Sequence, residues 1–418
     1  MILLIFISAW YTMMVDPNLA TGTGVAIDVN HNPHLFYYTN DTILTHAYWN
    51  NDSWVYETVA PAASWHNGGP SVVIDANNRI YVAFYAENNY LGYAYFDGTW
   101  HTEIVDNSSS CGDYCSLKLD SNGNPHIAYI AEISGCPLRY AYKNGTDWVI
   151  QERPYCAFTP SLGLDSLDHP HIAHNDPSTY TLYYTSFDGT TWTTETVYSG
   201  GAGSECDLVL DQNDLPNISF YWPYGGGNYS LGFAQKDGGI WNTYIVHQGA
   251  QPTKKGWNNQ IAMTDDGVMH IASHAHNECF VEHAWGDGNS WNNEVVDTIG
   301  MYGAAIGICT DANDVFISYC DGGTGGGTVW LASTRIIGSE EQKQTVKTPN
   351  TLQCQPNPFT RFTSIPGSKD KHFSLYNITG KWVGTFPGDR IGYGLPAGIY
   401  FVVPEDRSLA PARVVKVR

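Results

Sequence analysis

Positive charge is the scarcest feature of this sequence. Its 418 residues include 20 Lys+Arg against 41 Asp+Glu, and charged residues of both signs make up only 15%. The deficit is uneven. Residues 1–340 hold nine Lys+Arg and 36 Asp+Glu, a net −27, whereas residues 341–418 hold eleven and five, a net +6. So acidic a body repels phosphate backbones, which excludes nucleic acid as a partner, and it disfavours polyanions in general. Apolar residues nowhere recur with a sustained helical period, so an all-β fold is expected. None of the nine cysteines forms a Cys-x-x-Cys pair, and no metal site is expected. Cys111, Cys115, Cys136, Cys156 and Cys206 fall in connecting segments, which suits surface disulfides of an exported protein without fixing their connectivity. Cys309 and Cys320 sit within strand patterns and read equally well as buried thiols. The N-terminal MILLIFISAW is too short to span a membrane and lacks the basic region of a signal peptide. The reading frame is therefore expected to be truncated or its start misassigned, with residues 1–9 a signal remnant.

Aromatic and turn-forming residues are plentiful: 28 Tyr, 14 Trp and 42 Gly. They repeat. Aligned on the acidic residue that ends a short strand, Asp28, Asp75, Asp120, Asp165, Asp211, Thr264 and Thr310 follow one another at steps of 47, 45, 45, 46, 53 and 46. Six positions on, a second column holds His34, Tyr81, His126, His171, Asn217, His270 and Phe316, and Trp54, Trp100, Trp148, Trp192, Trp241 and Trp291 form a third. Each unit reads as four strands: an apolar first strand buried between neighbours, an Asp-x-Asn-Gly type turn, a second strand, a third, a tight Asn-Gly or Asp-Gly hairpin and an outer strand opened by Trp. Periods of this size with four strands per unit mark a β-propeller. Six tryptophans for seven acid-column positions leave the last unit short of an outer strand. Trp10 to Asp16 matches Trp100 to Asp106 in pattern, and Trp10 stands 18 residues before Asp28, within the 17 to 23 found elsewhere. A seven-bladed propeller over 10–336, closed by its N-terminal strand, follows, and closure removes an exposed sheet edge.

Residues 337–348 are polar and read as a linker, and 349–418 read as a small antiparallel β-sandwich. Asn357-Pro358-Phe359, Leu375-Tyr376-Asn377-Ile378-Thr379-Gly380-Lys381, Leu395-Pro396-Ala397-Gly398-Ile399-Tyr400-Phe401 and the closing Val414-Val415-Lys416-Val417-Arg418 resemble the C-terminal sorting domain of type IX (Por) secretion substrates. The resemblance covers about the last 70 residues. It implies an exported bacterial protein, secreted or held at the outer-membrane surface, whose residues 349–418 engage the secretion machinery. It is silent on what the body does.

Uniform turns occupy one end of such a propeller, and the other end receives the loops that vary, where binding usually resides. The candidate ligand-binding residues there are Trp65, His66, Tyr114, Tyr155, Tyr221, Trp222, Tyr224, Lys254 and Trp257, with a glycan or polysaccharide as the expected partner, because exposed aromatic clusters tend to be functional. The recurring histidines 34, 126, 171 and 270 read as structural, hydrogen-bonded to a neighbouring blade. His274 and His276 are the candidate catalytic residues, as base or metal ligands, should the protein degrade polysaccharide. Asp120-Ser-Asn122-Gly has oxygens at alternate positions, as calcium loops do, but stops short of the further ligands, so a capped turn is favoured and no cofactor is expected. The body resembles BNR and sialidase-like propeller repeat proteins without matching one family. Ser186 to Trp192 is similar to a sialidase Asp-box one residue short, but only four arginines (79, 139, 153 and 335) are at hand for a family that grips a carboxylate with three. Met269 to His274 loosely resembles the repeat of BNR-type polysaccharide lyases, for which Lys254, Lys255 and His274 could form a local cationic patch. A recognition module and a polysaccharide-degrading enzyme both remain open.

Overall fold

The described strands pair with one another antiparallel throughout, and the only helical piece among the described residues is a 3-10 turn, Glu87–Asn89. The computed structural model describes residues 10–337 apart from 41, 64–67, 109, 132–135, 204, 224–228, 250–252, 299–305 and 323–325, and, further on, 354, 359–365, 368–369, 371–377, 381–404 and 412–417. The expected N-terminal remnant 1–9 and nearly all of the expected linker 337–348 lie outside them. The chain forms two compact units, residues 1–343 and 344–418.

The first unit begins with β1 (Tyr11–Ile27), β2 (Pro33–Thr39), β3 (Ile43–Trp49) and β4 (Trp54–Pro61). Four-stranded sheets follow in chain order: β5 (Ser71–Ile74), β6 (Ile80–Ala86), β7 (Tyr90–Phe96) and β8 (Trp100–Asp106); β9 (Ser116–Leu119), β10 (Pro125–Ile130), β11 (Pro137–Asn144) and β12 (Asp147–Cys156); β13 (Phe158–Leu164), β14 (Pro170–Asp176), β15 (Thr181–Phe187) and β16 (Trp192–Ser199); β17 (Cys206–Leu210), β18 (Pro216–Pro223), β19 (Tyr229–Asp237) and β20 (Ile240–His247); β21 (Trp257–Met263), β22 (Met269–Ala275), β23 (Phe280–Gly286) and β24 (Trp291–Thr298). The last strands, β25 (Gly307–Asp311), β26 (Asp314–Cys320) and β27 (Gly327–Ser333), join the first four through β1. β1 pairs with β27 from Tyr11↔Ser333 and with β2 as far as Ile27↔Pro33, so one long strand serves two sheets. The result is an all-β, propeller-like succession of sheets.

The first strands pack on one another around an axis: β1 on β5, β5 on β9, and so through β13, β17, β21 and β25 back to β1. A first strand is an open sheet edge, whose outward N–H groups need acceptors. Neighbours supply them. Ser71 Oγ accepts from Leu117 N at 2.9 Å, Ser116 Oγ from Leu162 N at 3.0 Å, Ser161 Oγ from Leu208 N at 3.0 Å, Asp207 from Ile261 N at 2.8 Å and Gln260 from Ile308 N at 3.2 Å. Gly24 and Gly307 hold the same place; a Cβ on Gly24 would collide with the Pro70 carbonyl, and one on Gly307 with Ser318 Oγ. The first strands β5, β9, β17, β21 and β25 are only half-buried, lining an axial cavity, whereas β1 and β13 are largely buried, and the second strands β6 and β10 are buried throughout. The expectation of buried first strands holds for β1 and β13 and is corrected for the other five.

The acid column caps turns. Asp120 Oδ1 accepts from Asn122 N at 2.9 Å and Asn124 N at 2.7 Å while Oδ2 takes Asn124 Nδ2 at 2.8 Å, so both oxygens serve the turn. In the last sheet Cys309↔Phe316 answers Ala26↔His34 of the first, which places Asp311, not Thr310, in the column, with a shorter turn beyond it. The recurring histidines bond within their own sheet rather than to a neighbouring blade: His34 to His46 and His270 to His283, each at 2.9 Å, His126 to Tyr140 at 2.5 Å, and His171 to Tyr184. Second and third strands run side by side, so that partner is nearer. The tryptophans do reach across sheets. Their Nε1 groups donate from Trp100 to Glu57, Trp148 to Glu103, Trp192 to Gln151, Trp241 to Glu195 and Trp10 to Glu294, at 2.8–3.1 Å.

No disulfide joins any of the nine cysteines, and Cys111, Cys115, Cys206, Cys320 and Cys354 are buried rather than at the surface. The C-terminal unit holds β28 (His372–Asn377), β29 (Trp382–Pro387), β30 (Gly398–Pro404) and β31 (Ala412–Lys416) in the order β29-β28-β30-β31. Its own core gathers Phe359, Phe373, Leu375, Ile391, Val402 and Val414. No described helix is long and apolar enough to cross a membrane.

Candidate functional site

Second strands end, third strands begin and first strands begin at the end of the sheets opposite the capped turns. At one corner of that end, β18 delivers Tyr221, β19 starts with Tyr229, and the segment entering β21 brings Lys254 and Trp257. Tyr229 and Lys254 form an isolated parallel bridge, which fixes the corner's backbone. Tyr221 and Tyr229 stack with centroids 5.1 Å apart, and Trp257 meets Tyr221 edge-on at 5.6 Å. The Lys254 ammonium lies over the Tyr229 ring at 4.9 Å and over Trp257 at 6.0 Å. His276 completes the group, its N–H donating to the Lys254 carbonyl at 3.0 Å and its ring 4.5 Å from Trp257. Tyr221, Lys254, Trp257 and His276 are thus brought together, with Tyr229, which sequence reasoning missed, stacked on Tyr221 beneath the Lys254 ammonium.

Lys255 has a different fate from Lys254. It is buried and bonds Glu278 and Glu282, the latter at 2.6 Å, and His247 also reaches Glu282 at 3.3 Å. Burial alone would raise the Glu282 carboxyl, but His247 and Lys255 together hold it below the ordinary range. Lys255 is therefore an anchor of the segment and not part of a cationic patch.

Beside this corner runs a groove of about 340 Å³ lined by Pro177, Tyr180, Tyr221, Pro223, Tyr229 and the glycines 200, 201 and 203. Its floor has to be glycine at Gly203, where a Cβ would strike the Tyr221 ring. Asn175 Nδ2 holds that floor through the Gly203 carbonyl. Tyr180 stands at the rim, 57% exposed, with φ 52. A tyrosine in the left-handed region is strained, and such strain gathers at functional sites. Three amides, of Gly200, Gly201 and Ala202, donate to the Tyr180 carbonyl at 3.0–3.1 Å and hold it there. Tyr180 follows an unremarkable Asp-Pro-Ser-Thr run, so only this backbone geometry singles it out. Burial, helped by Glu205 and Tyr229, raises the Tyr221 hydroxyl well above its ordinary value, so Tyr221 stays neutral and acts as a wall.

The remaining candidates are dispersed. Trp65, His66 and Tyr224 lie outside the described residues. Tyr114 lines the axial cavity of about 200 Å³ and packs on Phe158. Tyr155 is exposed on β12, near His174 and Tyr183. Trp222 points away from Tyr221, as strand alternation requires, and packs on Tyr198 and Phe220. His274 is 2% exposed, opposite Trp257 across β21 and β22, and His276 lies beyond the end of β22, so the two do not share a solvent-facing edge. Among the described residues no group of three metal-ligating side chains could hold an ion. Of the four arginines, Arg139 is bound to Asp106 and Glu152, Arg335 to Asp311 and Asp314, and Arg153 lies over Trp192. These three are engaged apart from one another and share no carboxylate grip. Asp188 spends its oxygens on Thr190 and Thr191 in a turn at the opposite end.

No protein-family model matches the chain, and no curated protein matches it. Among solved structures, an ulvan lyase described as a new family of polysaccharide lyase is similar with a TM-score of 0.53 at 12% identity, covering 80% of this chain and 99% of that one. A fungal lectin from Aleuria aurantia, described as a six-bladed β-propeller with a novel fucose recognition mode, has a TM-score of 0.45 at 14% identity, covering 68% of this chain and 98% of that one. At 12% identity the likeness to the lyase is one of fold alone.

Proposed function

We propose that this protein is an exported bacterial recognition module that binds a carbohydrate in the groove between Tyr180 and Tyr229. The groove itself carries the reading: about 340 Å³, at the lower end of the roughly 300–1,000 Å³ typical of small-ligand clefts, with an exposed tyrosine held in a strained backbone at its rim. The C–H face of a sugar ring can lie on Tyr180, while Lys254, above the Tyr229 ring, offers a polar contact beside it. The body is a seven-bladed propeller closed by its N-terminal strand. The cyclic packing of the seven first strands supports this count, as does Trp10, which makes the same contact as the other outer-strand tryptophans. Residues 349–418, as a β-sandwich of the type IX sorting kind, direct the protein to the secretion machinery and leave the body secreted or on the outer-membrane surface. That rests on the motif resemblance.

Binding to an array of neutral and acidic glycans tests the reading. Tyr180→Ala should weaken binding at least tenfold with the fold intact by circular dichroism, and no glycan bound by the unaltered protein would overturn it. A second reading, a polysaccharide-degrading enzyme, draws on His276, Lys254 and Tyr229 meeting in one corner. Release of unsaturated or reducing ends from a polysaccharide panel, lost in His276→Ala, would favour it over the first.

A further inference from the structure

Two of the nine cysteines stand side by side on neighbouring strands. Cys136 directly precedes β11, and Cys156 ends β12, where it stands opposite Pro137. The Ala157 N–H donates to the Cys136 carbonyl at 2.9 Å, which fixes the two backbones side by side. Antiparallel neighbours lie within the Cα span of roughly 4.4–6.8 Å that a disulfide needs. Cys136 adopts φ 41, which breaks strand alternation and lets a residue one step out of register face Cys156. Cys136 and Asp176 are the two groups whose nearness acts on the Cys156 thiol. Both cysteines are half-buried, within reach of small solutes. Cys111, by contrast, is buried and donates its thiol to the Asp106 carbonyl at 3.4 Å.

We propose that Cys136 and Cys156 form an oxidation site that closes to a disulfide by exchange with a small disulfide carrier. One cysteine thiolate attacks the carrier disulfide, forming a mixed disulfide and releasing one carrier thiol. The second cysteine then displaces the carrier, forming the protein S–S bond and releasing the other carrier thiol. Two electrons pass from the cysteine pair to the carrier, and the two protons end on its thiols. Burial pushes the Cys156 thiol up to about 11, with Asp176 and Cys136 adding to it, so little of it is thiolate at neutral pH and the exchange should quicken as pH rises. The bond would pin a register shift in β12, where Leu138 pairs with Arg153 and Pro154 and Tyr155 are left over. It thereby steadies the exposed Tyr155. The inference is independent of what the groove binds.

The full chain is held in oxidised and reduced glutathione, its remaining thiols are alkylated under denaturant, and its peptides are weighed. Cys136 and Cys156 peptides joined, lighter by two hydrogens and separated by reductant, with the other seven cysteines alkylated, is the expected result. Full alkylation of Cys136 and Cys156, or a bridge from either to a different cysteine, overturns the proposal. Oxidation should also raise Tm by a few degrees. The Cys136→Ser, Cys156→Ser double variant should lose that response, and an equal response in both proteins counts against the pair.

Discussion

Tryptophan at the head of each outer strand does two things: its ring fills the seam between sheets, and its N–H must find an acceptor there. The acceptor stands three residues after the tryptophan of the preceding sheet, at Glu57, Glu103, Gln151, Glu195 and Glu294. The same position is Met13 in β1 and Tyr244 in β20, and the two outer-strand tryptophans facing them, Trp54 and Trp291, have an Nε1 buried without a partner, as does Trp222 in β18. Neither methionine nor a tyrosine ring packed beside Phe233 offers an acceptor there. The pairing therefore has a price that can be measured. Gln151→Met keeps the bulk but strands the Trp192 N–H, and should cost about 1–3 kcal/mol in urea unfolding. A loss below about 0.3 kcal/mol would mean that the N–H finds another acceptor.

At the scale of the element, first strands are joined by side chains where a continuous sheet would use backbone. Ser71, Ser116, Ser161, Asp207 and Gln260 each satisfy one N–H of the next first strand. Burial raises the Asp207 carboxyl, against the bonds from Ser161 and Ile261 that lower it. Gly24 departs from this pattern because β1 and the Pro70 segment approach too closely for any side chain. Gly24→Ala must push backbone against backbone, and overpacking of that kind costs about 1–3 kcal/mol. A lowered urea midpoint is expected, and an unchanged midpoint would show that the two strands can part freely. In the same way the groove depends on elements rather than residues: β14, β16 and β18 end around the glycines on which Tyr180 rests.

For the whole molecule, the buried histidines make stability depend on pH. Burial, with His46 adding to it, brings His34 down to about 4, and burial with His283 brings His270 to about 3. In the unfolded chain both take up a proton near 6.5. Between those values the unfolded state binds more protons than the folded one, so stability is full above about pH 6.5 and falls as pH drops toward 4, by up to about 1.4 kcal/mol per unit for each histidine. The turn carboxylates Asp28, Asp75, Asp120 and Asp165 act lower. Burial works against them, but bonds from the turn hold each below 3.8, so their contribution is lost only as pH falls beneath that. Urea unfolding at pH 7.0, 5.5 and 4.5 should show a steadily falling free energy, less steep in His34→Phe. A flat profile over that range would refute the account.

Repetition made the architecture legible in the sequence, because a turn cap, a hairpin glycine and a seam tryptophan are local needs that each unit meets with the same residue types. For that reason Trp10 could be matched to its column from the sequence, and for that reason too Asp311 was misplaced by one residue where a shorter turn broke the period. Of the site, Tyr221, Lys254, Trp257 and His276 were legible as aromatic or basic residues in loops that vary. Tyr229 and Tyr180 were not, since a tyrosine at a strand start or after a Ser-Thr run has nothing local to mark it. Whether Lys254 or its neighbour Lys255 stays available, which histidine is buried, and which two of nine cysteines stand side by side all depend on residues far apart in the chain. Periodic local chemistry determined the fold; the packing of one sheet's end against the next decided what that fold presents.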